Sequence, residues 1–190
     1  AKAWCRDRNQ PFSIHVAEHS DEIEFLQTGG GYCRDLLKSL GRWVSGWNAP
    51  GTTPVEYLDS LGALDDGTLL VHAVHMQQSD WEIVFKRGCA LCFCPRSNRN
   101  LNVGRPDLEC SRQYGILACL GTDSLASNQD LYPFAEAEYI LNHYPNVHPD
   151  DVLFMLTLGG ALALKRGDRF GSLAPGRQAA FLAVNLANLQ

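Results

Sequence analysis

The sequence predicts an α/β fold: a parallel sheet with helices outside it. Four short apolar runs, at residues 12–16, 69–75, 90–94 and 116–120, have strand character, and none alternates cleanly with polar residues. Near-continuous apolar runs suit strands buried on both faces, as in parallel sheets. Helix signals separate the runs, and strand–helix alternation is the pattern of a parallel α/β fold. The 190 residues are enough for one domain with a substantial core.

The elements follow in order. Residues 1–10 read as the tail of a helix that precedes the first strand. Ser20 stands before Asp21 and Glu22, acidic residues that favour the positive end of a helix dipole, and Gly29 ends that helix. Thr53-Pro54-Val55-Glu56 is a capping box with proline at the first helical position, and Gly62 is placed to stop the helix. Ser79-Asp80-Trp81-Glu82 reads as a second capping box, closed by Gly88. Residues 107–114 predict a short helix before Gly115, and 131–143 and 149–158 predict the later helices. Between Gly29 and Thr53 the run Gly29-Gly30-Gly31, then Trp43, Trp47 and Pro50, predicts an irregular excursion, a lid beside a site. There is no internal repeat and no low-complexity segment.

Lys and Arg number 16 and Asp and Glu 21, a net charge of −5. With no basic stripe, neither nucleic acid nor an anionic membrane is expected as the main partner. No apolar run reaches the length of a membrane span, and the first ten residues are not signal-like. Seven cysteines, an odd number, lie partly inside apolar runs, which points to a reducing, cytoplasmic setting with thiols used as small core residues.

Polar residues gather at one end of the strands. His15 and Glu18 close the first run, His72 and His75 the second, Pro95-Arg96-Ser97-Asn98 follows the third and Thr122-Asp123-Ser124 the fourth. Ligands of parallel α/β folds bind at the carboxyl ends of the strands, and four such ends in succession are hard to explain by packing alone. His72, inside its run, reads as a satisfied core histidine, whereas His15 and His75 at the tips read as functional. Asp123 could simply cap a turn, and Glu18 could be a surface residue at a helix start. A buried carboxylate at position 123 would need a cation or several donors.

Other motifs compete less well. His15-x-x-Glu18-His19 matches an inverted zinc-peptidase pattern, but that chemistry needs both histidines on one helix face, and here β-branched Ile14 and Val16 flank His15. Cys89-x-x-Cys92-x-Cys94 suggests a zinc knuckle, yet no second close pair completes a tetrahedral set, so buried thiols are the preferred reading. The signature of the cytidine-type zinc deaminases is absent, and Gly29-Gly30-Gly31 has the wrong context for a phosphate loop.

The segments His15-Val16-Ala17-Glu18, Val71-His72-Ala73-Val74-His75, Cys94-Pro95-Arg96-Ser97-Asn98 and Gly121-Thr122-Asp123-Ser124, in that order, resemble the second half of the amidohydrolase superfamily barrel. The nearest branch is the aminohydrolases and chlorohydrolases, which include adenosylhomocysteine, methylthioadenosine, guanine and aminofutalosine deaminases. The resemblance implies a (β/α)8 TIM-barrel fragment carrying the fifth to eighth strands, a parallel sheet with outer helices. It implies a half-barrel over 1–170 and, over 171–190, the return to a small β-sandwich domain, where Ser172-Leu173-Ala174-Pro175-Gly176-Arg177 resembles the family's exit from the barrel. His15 then matches a metal ligand, Glu18 the general acid that protonates a ring nitrogen, and His75 the residue that orients the attacking water. Asp123 matches the ligand and base. One divalent metal, zinc or iron, is implied for the complete enzyme.

The family's first-strand His-x-His occurs nowhere in this chain. The chain therefore reads as the C-terminal half of a barrel whose exposed edges would associate with a missing N-terminal half or a second copy. The implied function is metal-dependent hydrolysis of a non-peptide C–N bond, releasing ammonia from an aminopurine or its nucleoside, with a purine-like small molecule as substrate. The alternatives are a triazine-type chlorohydrolase or aminohydrolase, and a catalytically inactive half-barrel. Thiol titration of the denatured protein should return all seven cysteines of the chain as free thiols; a return of five or fewer would reveal a disulfide.

Overall fold

A computed structural model describes residues 1–183. Helix α1 (Lys2–Asp7) leads into β1 (Phe12–Val16). Helices α2 (Ser20–Thr28), α3 (Gly31–Ser39) and α4 (Pro54–Ser60) precede β2 (Thr68–His72). Helix α5 (Gln78–Arg87) leads to β3 (Ala90–Phe93), and α6 (Pro95–Asn100) and α7 (Leu108–Gln113) to β4 (Ala118–Leu120). Then come α8 (Pro133–His143) and α9 (Pro149–Phe154), which runs through a π-helical turn, Met155–Gly159, into α10 (Gly160–Ala163). The four strands form one parallel sheet in the order β1-β2-β3-β4, with His15 opposite Val71, Val71 opposite Cys92 and Cys92 opposite Cys119.

The expected α/β fold with a parallel sheet is present. Its two faces differ. Val16, Leu70, Leu91 and Phe93 are fully buried in the main core with Val55, Val84 and Ile140. Each such side chain contributes about 1.5–3 kcal/mol by leaving water. The other face carries a smaller cluster, Leu69, Ala90, Cys119 and Ala163 with Cys92, while Ser13 and His15 of β1 are exposed. The π turn lies against β4 so closely that a Cβ added at Gly159 would sit 2.5 Å from the Ala118 carbonyl oxygen. Only glycine fits that approach.

Several boundaries differ from expectation for local reasons. Strand β2 ends at His72 rather than 75, because His72 and Ala73 take positive φ, 75° and 48°. The N-cap of α2 is His19, whose Nδ1 accepts from the Asp21 N–H. The second capping box is Gln77–Asp80 rather than Ser79–Glu82, because the buried Asp80 carboxylate accepts from the Gln77 N–H at 2.8 Å. The excursion after Gly29 contains a helix, α3, before an irregular stretch where Phe25 stacks on Trp47 with centroids 4.6 Å apart. Residues 171–183 contain no strand, and 184–190, the rest of the segment expected to return to a β-sandwich, lie outside the described residues. Among the described residues all seven cysteines are free. Burial pushes the Cys89 thiol up to about 12, and donation to Cys92 together with burial raises those of Cys94 and Cys119.

The capping box of α4 is observed as expected: Thr53 Oγ1 accepts from the Glu56 N–H at 3.1 Å, and Glu56 accepts from the Thr53 N–H at 3.0 Å. The same hydroxyl donates to Asp80 Oδ1 at 2.5 Å, tying α4 to α5. Thr53→Ala removes a cap and strips one donor from a buried carboxylate. It should lower stability by about 1–3 kcal/mol, seen as a lower urea midpoint with an unchanged m value; an unmoved midpoint would show that the cap holds nothing.

Candidate metal centre

Side chains from the carboxyl ends of β1, β2 and β4 meet in one group. One ligand atom from each of His15, His72 and Asp123 lies within 4.8 Å of the others. His15 comes from β1, His72 closes β2 and Asp123 follows β4. The rings of His15 and His72 are tilted at 40° with centroids 5.0 Å apart. Glu18 borders the group, its Oε1 3.5 Å from His72 Nε2.

Local backbone explains the convergence. Ala17, His72, Ala73 and Asp123 all have positive φ, between 48° and 75°, which L-residues with a Cβ rarely adopt. The turn after β1 is locked to the turn after β2, since the Ala17 carbonyl accepts from the N–H groups of Val74 at 3.0 Å and His75 at 2.8 Å. Simple alternation would place His72 on the face of Leu70; the positive φ at its own position breaks that alternation at the strand tip.

Asp123 is held by hydroxyls. Its Oδ2 accepts from Ser97 Oγ at 2.8 Å and from Ser127 Oγ. Burial works to raise its pKa, but Ser127 and Ser97, with the nearby imidazoles of His72 and His15, outweigh it and hold the carboxyl below its usual range. The loop that carries it is pinned from behind. Asn128 donates to the Thr122 carbonyl and to Glu136, both at 2.7 Å, and the fully buried Glu136 also accepts from the Arg96 N–H at 3.0 Å. Arg96 grips Asp130 through two bonds of 2.9 and 3.0 Å, holding that carboxyl down at about 2.

His72 is 1% exposed and its Nδ1 bonds Asn98 Oδ1 at 2.8 Å. Glu22 reaches back to accept from the Glu18 N–H at 3.0 Å, and burial raises the Glu22 pKa. Of the residues expected at the site, His15, Glu18 and Asp123 come together and His75 does not join them. Because β2 ends early, His75 lies in the loop beyond, where its Nε2 donates to the Val103 carbonyl at 2.8 Å. His72, expected in the core, is buried and also belongs to the group; it is the last residue of β2, and nothing in its apolar run marks that end. Ser127 was missed because nothing in a Ser-Asn sequence marks a hydroxyl aimed at a carboxylate four residues earlier.

The donor set suits a divalent cation of borderline softness. Imidazole and ionised carboxylate are ligand types of zinc and iron sites, and the hydrogen bonds to Asp123 are the outer supports such a ligand needs.

The sequence model described as the amidohydrolase family matches residues 1–190. An aminodeoxyfutalosine deaminase of Deinococcus radiodurans is 37% identical over 160 residues, covering 79% of this chain and 37% of that protein. A 5-methylthioadenosine/S-adenosylhomocysteine deaminase of Pelotomaculum thermopropionicum is 35% identical over 179 residues, covering 90% of this chain and 36% of that protein. Among solved structures, an adenosine deaminase of Xanthomonas campestris with bound zinc superposes with a TM-score of 0.74 at 27% identity, covering 93% of this chain and 37% of that one. A triazine hydrolase of Arthobacter aurescens superposes equally well, at 0.74, but at 21% identity, a likeness of fold alone. The chain thus spans little more than a third of the length of the relatives it matches.

Asp123 generates a pH expectation. A carboxyl with a folded pKa below its unfolded value stabilises the fold above the unfolded pKa of about 3.9. That stability is lost as pH falls through the folded value. Ser97→Ala removes one donor, so carboxyl-carbon NMR titration should show the Asp123 pKa moving up; a downward move or none would show that the Ser97 hydroxyl does not hold the charged form.

Proposed function

The chain belongs to the amidohydrolase family, and on that premise we propose that it forms the second half of a (β/α)8 barrel, its strands standing fifth to eighth, whose metal centre hydrolyses a non-peptide C–N bond. The reaction proposed is release of ammonia from an aminopurine or its nucleoside. The observation that carries this is the convergence of His15, His72 and Asp123 within 4.8 Å at the carboxyl ends of the strands. The two relatives named as deaminases support the choice of substrate class. The triazine reading has a fold likeness behind it and nothing in the site that favours it.

In this reading His15 and Asp123 hold one divalent metal, zinc or iron, with the remaining ligands supplied from outside the chain. Such a metal lowers the pKa of a water toward neutrality. Asp123, ionised and steadied by two hydroxyls, accepts the proton that the water gives up. Glu18 delivers a proton to the ring nitrogen of the substrate, so that the carbon under attack becomes electrophilic. The orienting role expected of His75 falls to His72, which stands 3.5 Å from Glu18 and in the group with Asp123, whereas the Nε2 of His75 is engaged by a carbonyl. The partner of the centre is a small purine-like molecule. No helix among the described residues is long and apolar enough to cross a membrane.

Steady-state kinetics of the full-length protein on a panel of aminopurine nucleosides, with metal content measured for each variant, tests these roles. Asp123→Asn and Glu18→Gln should each lower turnover by about 10²–10⁴-fold. His72→Gln should fall in the same range and His75→Gln within about tenfold of the parent. A fully metallated Asp123→Asn protein within tenfold of the parent would sink the assignment of the base. A His75 variant more damaged than the His72 variant would return the orienting role to His75.

A further inference from the structure

We propose that Asn98 is the positioning residue of this centre, fixing the neutral His72 ring in the tautomer that carries its proton on Nδ1 and leaves Nε2 as the nitrogen free to act. The role rests on the reading of the centre given above, but it is visible without turnover.

Both partners are sealed from water, His72 at 1% and Asn98 at 0% exposure, so neither can trade this bond for one to solvent. A neutral imidazole has one N–H donor and one acceptor nitrogen, and what faces each nitrogen decides which is which. The Asn98 oxygen, 2.8 Å from Nδ1, has no proton to give, so Nδ1 must carry one. Nε2 has no such hydrogen-bond partner, the nearest carboxylate oxygen, Glu18 Oε1, standing 3.5 Å away, so the Asn98 contact alone sets the tautomer of the neutral ring. The opposite tautomer would put two lone pairs face to face inside the protein.

Asn98 is itself held firmly enough to dictate. It lies in the first turn of α6, with its N–H donating to the Cys94 carbonyl at 3.0 Å and its carbonyl accepting from the Val103 N–H at 3.1 Å. The residue before it, Ser97, is fully buried and donates to Asp123 at 2.8 Å. Two successive residues of one short helix therefore grip two of the three members of the group. The other end of the Asn98 amide, Nδ2, is buried with no hydrogen-bond partner among the described residues. A buried donor left unpaired is unfavourable, and an asparagine kept only for packing would be replaceable by leucine of similar size at no such cost. The side chain is thus aimed by its oxygen, at the ring.

Long-range proton–nitrogen NMR correlations of the full-length protein, labelled with 15N at histidine, read the tautomer of His72 directly. The parent should show the Nδ1–H form. Asn98→Asp, which keeps the accepting oxygen, should preserve it. Asn98→Leu should release the ring into the Nε2–H form or a mixture and lower kcat by about 10–100-fold, with KM little moved. A parent spectrum showing Nε2–H overturns the proposal, as does an Asn98→Leu protein with an unchanged tautomer and unchanged kcat. If the leucine variant does not fold, the parent and Asn98→Asp spectra still decide, since loss of the Nδ1–H form in either contradicts the claim. Because the tautomer is read without substrate, a protein that shows the expected spectra yet deaminates no member of the panel would overturn the proposed activity and leave the positioning role standing.

Discussion

His15 stands on the first strand of the sheet and Asp123 just past the last, with two strands between them. Neighbouring strands run about 4.8 Å apart, so a flat sheet would hold these two backbones roughly 14 Å from each other. Their ligand atoms nevertheless lie within 4.8 Å. Side-chain reach covers part of that gap, and curvature of the sheet toward the face that carries His15 covers the rest. Twist and coiling of this kind are intrinsic to parallel strands of L-residues. What the sequence adds is asymmetric filling: large side chains such as Phe93, Leu70 and Leu91 under the helices, and small ones such as Ala90, Cys92 and Cys119 on the concave side. Gly121 continues that economy of space, since a Cβ there would lie 2.7 Å from Cys92 Sγ and 3.3 Å from Cys94 Sγ.

Curvature brings the strand ends together, and strained backbone aims them. Four of the seven non-glycine residues with positive φ among the described residues, Ala17, His72, Ala73 and Asp123, sit at the tips of β1, β2 and β4. Each costs on the order of 1–3 kcal/mol and persists only where surrounding contacts over-determine it. Those contacts are identifiable. The Ala17 carbonyl takes two N–H groups from the neighbouring turn, and the Glu136, Asn128 and Arg96 network fastens the loop after β4. The buried carboxylate of Glu136 therefore serves the centre without touching it. It is the brace against which Thr122 and Asp123 are set.

Much of the fold could be read from sequence because parallel strands and capped helices leave plain marks. Phe12–Val16 is observed with its expected bounds, and Thr53-Pro54-Val55-Glu56 caps α4 as its residue types dictate. Helices α3 and α6 were not anticipated: α3 carries an apolar stripe, Tyr32, Cys33, Leu36 and Leu37, but begins in a glycine run that reads as a breaker, and α6 is a polar, six-residue helix with no such stripe. The site was legible as a set of residue types at strand ends, but not in the choice between His72 and His75. Both follow an apolar run, and the deciding fact is where the strand stops. That is fixed by two positive φ values at a histidine and an alanine, residue types that carry no local signal for such a conformation. Asp80 is a second case: from the first turn of α5 it closes the capping box on Gln77, and the bond from Thr53 that helps to hold its carboxylate there is a tertiary one.

The six residues of α6 have an evolutionary consequence that their chemistry alone does not suggest. Ser97 and Asn98 face their separate targets because they are successive, about 100° apart around a helix whose start is fixed by Pro95 and the end of β3. Arg99 and Asn100, farther along, are exposed and touch neither His72 nor Asp123, although Asn100 donates to the Ser127 carbonyl at 3.0 Å. Inserting or deleting a single residue between β3 and Ser97 would rotate both side chains by that same angle and unseat Asp123 and His72 at one stroke. The stretch from the end of β3 to Asn98 therefore cannot change in length, and gaps in a comparison of related sequences should fall outside residues 94–98.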